Sequence, residues 1–150
     1  MKEQILENTY TLYKSSMITA IIFLVLIVTT IVVTIGVIKL GIVKTPKGNF
    51  ALIATVTICS VFLVISQVIT IVPLYKDYRD SSYIIIEDAT VLIKGDSNGV
   101  LDRTSTVSVK KQNEEYVLKI RTDSKLDADT EYVGTIVFLK HSKYIVWYKL

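Results

Sequence analysis

Two uninterrupted apolar runs, Met17 to Ile38 and Ala51 to Leu74, dominate the pattern of this chain, and no acidic or basic side chain falls inside either. At about 1.5 Å per residue, each is long enough to cross the roughly 30 Å hydrocarbon core of a bilayer as a helix. Gly41, Pro46 and Gly48 lie between them, in a segment suited to closing an antiparallel helix pair. Residues 1–16 place Ile5, Leu6, Thr9, Leu12 and Tyr13 near one helical face, which predicts a short amphipathic or flexible segment ahead of the first span. The first run is too long for a signal-peptide core, and no small-x-small cleavage pattern follows it, so it reads as a retained span. Pro73 is expected to kink or end the second helix.

From Tyr75 the period drops from 3.6 to 2. Tyr83–Lys94, Arg103–Lys110, Tyr116–Arg121, Glu131–Lys140 and Tyr144–Leu150 read as five strands, with Gly95 to Gly99 expected as the first turn. The expected fold is therefore an α+β membrane protein. A two-helix transmembrane hairpin, residues 17–74, is followed by a small five-stranded antiparallel domain, residues 75–150. That domain is expected to be barrel-like, of the SH3 or OB type. In the last hairpin, Val133, Val137, Leu139, Ile145 and Trp147 are apolar opposite a second apolar row. A strand pair apolar on both faces needs cover on both, so these five residues are the expected partner-binding surface.

Within the spans the polar minority is ordered. Thr19, Thr30 and Thr34 share one side of the first helix; Thr55, Cys59, Ser66 and Thr70 share one side of the second. Small hydroxylated residues suit close helix packing in lipid, so both stripes are expected helix-packing positions. A hydroxyl bonded back to its own helix is the alternative. Gln67 lies off the stripe and is the costliest polar group of the two spans. It is the expected interhelical hydrogen-bonding residue.

Charge changes the picture little. Of seventeen Lys and Arg and fourteen Asp and Glu, five and two precede Tyr75, leaving twelve of each behind. The net +3 thus belongs to the residues flanking the spans, and a neutral second half argues against a nucleic-acid partner. The lysines on the two sides of the hairpin nearly balance. Both termini and the β-domain are weakly placed in the cytoplasm. Richness in Ile, Lys, Tyr and Thr suggests a bacterial cell membrane.

Catalytic chemistry is sparse. The single histidine, His141, sits in a turn beside Lys140 and Lys143, and the single cysteine, Cys59, lies inside a span, so no nucleophile–base pair emerges. The acidic stretches at Asp96 and at Asp127 to Glu131 read as solvated loops. No catalytic, cofactor or metal residue is assigned, and no cofactor or small-molecule substrate is expected. The reading is a non-catalytic accessory or adaptor protein of a membrane complex, with the bilayer and either a protein partner or a second copy as its contacts. A stand-alone immunity protein and an oligomeric pore are the alternatives.

Overall fold

A computed structural model of the chain describes all residues but 43, 44, 100, 101, 113 and 122–129, and gives the backbone course alone for 94–99 and 102–104. Two helices, α1 (Lys2–Lys39) and α2 (Pro46–Asp80), precede five strands. The strands are β1 (Tyr83–Gly99), β2 (Asp102–Lys111), β3 (Glu114–Arg121), β4 (Glu131–Leu139) and β5 (Ile145–Lys149). The chain divides into two compact units. One joins residues 1–13 to residues 73–150; the other holds residues 14–72.

In the unit of residues 14–72, local chemistry sets the helix ends. Gly41, at φ 65°, closes α1 with a paired cap: Ile42 N–H donates to the Val37 carbonyl at 3.3 Å and Gly41 N–H to the Ile38 carbonyl at 3.1 Å. Thr45 caps α2 by accepting the Gly48 N–H at 3.2 Å, with Pro46 at the first helical position, where its missing N–H costs nothing. Both helices are long and apolar enough to cross a membrane. Among the described residues of 14–72 Thr34 alone is buried, and the apolar side chains are exposed or half-buried.

The other unit is built on one antiparallel sheet in the order β3-β2-β1-β4-β5. The sheet curls into a half-barrel, and its edges β3 and β5 meet through a parallel bridge between Lys119 and Tyr144. The expected barrel is thus only partly closed. Long β1 makes the curl by pairing first with β4 and then with β2, overlapping at residues 90–92. A bulge at Glu87–Asp88, with Asp88 at φ 55°, bends it. The turn expected over Gly95 to Gly99 is instead strand, interrupted by a second bulge at Gly95. A bulge leaves the ladder intact on either side, whereas a Gly-rich run reads locally as a turn. One face of the sheet packs Ala89, Val91, Val107, Leu118, Ile136 and Phe138 into a core. At Gly134 a Cβ would lie 2.1 Å from the Lys149 carbonyl oxygen, so only glycine lets β5 approach there.

Two sequence expectations change. The amphipathic stretch of residues 1–16 runs into the first span without a break, α1 being continuous from Lys2, but residues 1–13 join the sheet unit. Pro73 does not end α2, which runs on to Asp80 and closes with Ser81 at φ 48°; Ser82 N–H donates to the Asp77 carbonyl at 3.1 Å.

Candidate functional site

The β4–β5 hairpin is apolar on both faces because both are covered inside the chain. Ile136, Phe138 and Ile145 face the core described above. Val137, Leu139, Tyr144 and Val146 pack instead on Ile5 and Leu12 of α1 and Leu74 of α2. An irregularity at Val146 sets these faces: Val137 pairs with Trp147 but Phe138 pairs with Ile145, so Ile145 and Trp147 point to opposite sides. Simple alternation had put those two together. Of the expected partner-binding residues, Val137, Leu139 and Ile145 are buried, Trp147 is half-buried and Val133 is 66% exposed. The first three are core residues here. A sequence pattern cannot show that helix ends far away along the chain supply their cover.

Two polar contacts fasten these helix ends. Asn8 Nδ2 donates to the Val146 carbonyl at 2.7 Å, using the irregular position of β5. Asp77 is fully buried, and its carboxylate accepts the backbone N–H groups of His141 (2.9 Å) and Ser142 (2.7 Å) in the β4–β5 turn. Charge-assisted bonds of this kind are about twice as strong as neutral ones. The only histidine thus enters the arrangement through its backbone, while its side chain is exposed.

Beside this contact lies a cluster absent from the sequence expectations. Tyr13 stacks on Tyr78 with ring centroids 5.3 Å apart and planes 6° off parallel; Tyr10 meets Tyr78 at 5.8 Å and Tyr75 meets Tyr13 at 6.0 Å. The i, i+3 spacing in both helices was the signal available, since it sets each pair on one face. Tyr10, Tyr75 and Tyr78 nevertheless stay 47%, 45% and 40% exposed. The Arg79 guanidinium lies 5.9 Å from the Tyr75 ring centre and bonds Asp80 at 2.7 Å. That bond raises the arginine pKa and lowers the aspartate pKa from their ordinary values.

In the unit of residues 14–72 the hydroxyls turn inward to their own helix. Thr19, Thr30, Thr34, Thr55 and Thr70 each donate to the carbonyl four residues earlier, at 2.8–3.1 Å, and Ser66 donates to Leu63 at 2.8 Å. Thr34 is buried and Thr19, Ser66 and Thr70 are half-buried, whereas Thr30, Thr55 and Cys59 face outward. Gln67 lines an apolar cleft of about 320 Å³ between the helices, with Ala20, Leu24 and Ile71 among its neighbours.

A second cleft, of about 290 Å³, lies where β3 and β5 diverge, lined by Asn8, Leu12, Ile120, Arg121, Ile145 and Tyr148. Near the β2–β3 turn the Tyr116 hydroxyl donates to Glu114, which raises the phenol pKa. Among the described residues no group of His, Cys, Asp and Glu is placed to hold a metal. Asp127 and Asp129 of the second acidic stretch lie outside the described residues, as does the Asp96 side chain. Against known families, curated proteins and solved structures, the chain finds no match.

Proposed function

We propose that this chain is a non-catalytic accessory protein of a membrane complex. α1 and α2 cross the bilayer as a hairpin, and the half-barrel serves as a docking module on the cytoplasmic side. The observation that carries the reading is the contrast in burial. The sheet covers both its apolar faces from within, whereas residues 14–72 leave most of their Ile, Leu, Val and Phe exposed, and only one side of each helix is half-buried. A core helix of a water-soluble fold hides such a surface; here lipid or another helix must cover it. The self-bonded threonines agree, since they present no bare hydroxyl to a hydrocarbon environment. Gln67 supports the accessory role, because its amide is the polar group among the apolar residues that line the cleft. A partner helix offering a donor or acceptor there gains a bond worth about 1 kcal/mol in lipid.

Two measurements test this reading. The full-length protein purified from native membranes in mild detergent should bring down a membrane partner at constant ratio, and Gln67→Leu should lower that ratio while the protein still inserts. An unchanged ratio in both Gln67→Leu and Val133→Lys sinks the docking role. For sidedness, a Cys59→Ser, Lys111→Cys protein should react with an impermeant maleimide only after lysis. Labelling of intact cells would place the half-barrel outside.

A further inference from the structure

We propose that the cluster of Tyr10, Tyr13, Tyr75 and Tyr78 binds the headgroup layer of a phospholipid bilayer and fixes how deep the hairpin sits. This rests on the membrane-spanning reading above. The argument is first one of distance. Tyr13 stands four residues before the run that begins at Met17, and Tyr75 and Tyr78 one and four residues after the run that ends at Leu74, about 6, 1.5 and 6 Å along their helices. The polar layer on each side of the hydrocarbon core is about 5–7 Å thick. A bilayer that covers the two apolar runs therefore places these three rings within that layer, and Tyr10, in ring contact with Tyr78, one turn further out. Their chemistry suits the place, because a phenol presents an apolar ring to the acyl boundary and a hydroxyl to glycerol and phosphate oxygens. The rings also brace one another, at 5.3–6.0 Å between centroids, so little side-chain freedom is left to lose on contact.

Charge decides the lipid class. Arg79 is matched by Asp80 at 2.7 Å, which leaves Lys14 and Lys76 as the cations beside the rings of α1 and α2. Two lysines give little drive toward an anionic surface, which takes a cluster of about four or more. The recognised groups are those common to all glycerophospholipids, and a zwitterionic bilayer suffices.

The test uses the full-length protein with Trp147→Phe, carrying a single new tryptophan, in phosphatidylcholine nanodiscs brominated at shallow, middle or deep positions of the acyl chain. A Leu24→Trp protein reports on the span; Tyr78→Trp and, independently, Tyr75→Trp report on the cluster. Leu24→Trp should lose most emission to the deep bromines. Both cluster reporters should lose most to the shallow ones and progressively less below, with the same order when phosphatidylglycerol is added. Quenching of Leu24→Trp without quenching of either cluster reporter overturns the proposal and leaves the hairpin reading intact. Cluster reporters quenched best by deep bromines, or only with anionic lipid, also overturn it. Silence of all three reporters removes the membrane reading itself.

Discussion

Residues 2–13 and 14–39 form one continuous helix, yet they are built by different rules. In the first stretch burial is periodic: Ile5, Thr9 and Leu12 are covered while Glu3, Glu7 and Thr11 are exposed. In the second, most apolar side chains from Ile18 to Ile35 are exposed, and the side that carries Ala20, Phe23 and Ile27 is only half-buried. α2 repeats the contrast in reverse, apolar and open up to Val72, then burying Leu74 and Asp77 three residues apart. Secondary structure is indifferent to the change; what shifts is what each stretch packs against. The lesson is that a long apolar helix need not be one functional piece, because its ends can be core elements of a different unit.

The largest effect expected from this contrast is on packing. Leu74→Ala opens a void against Leu139 and Tyr144 and should destabilise the sheet unit by about 2–5 kcal/mol. Leu24→Ala, on a residue 59% exposed, should leave unfolding of that unit within about 0.5 kcal/mol of the parent. Urea unfolding in detergent, followed by Trp147 fluorescence, compares the two. Equal losses would mean that the helix ends are not part of the sheet core.

Next in size is the polar lock. Asp77→Ala strands two backbone N–H groups at the β4–β5 turn, which should cost about 2–4 kcal/mol in the same assay. Asp77→Asn should recover part of it, since an amide oxygen still accepts one bond. An Ala variant as stable as the parent would show that the turn holds its place without the helix.

Much of this frame is legible in the sequence. Two charge-free apolar runs of more than twenty residues announce the long helices, and period-2 alternation from Tyr83 announces five strands. The short polar step between Arg103–Lys110 and Tyr116–Arg121 marks the β2–β3 hairpin. The candidate site is legible only in part. An amphipathic face made by Ile5, Thr9 and Leu12 looks the same whether it meets lipid or protein, so its docking on a hairpin more than 130 residues away leaves no local trace. Bulges at Glu87–Asp88, Gly95 and Val146 shift face assignments by one residue, and with them the reading of Ile145. The tyrosine cluster hides because its two halves sit at the far ends of a hairpin.

The smallest effect expected is the most pointed for the stripes. If threonines at helical spacing pack the spans through their hydroxyls, then removing one should weaken helix association. The Thr30 hydroxyl, however, donates a hydrogen bond to the Leu26 carbonyl at 2.8 Å and faces outward. Valine keeps its shape and β-branching and removes only a bond that the helix makes with itself. Thr30→Val should therefore leave self-association in a bilayer, read by energy transfer between labelled copies, unchanged. Asn8→Ala in the sheet unit is the counterpart, because its 2.7 Å bond joins two elements and its loss should cost about 1 kcal/mol. A drop in transfer for Thr30→Val would mean that the hydroxyl leaves its own helix to bond across the pair, and would return the stripe to a packing role.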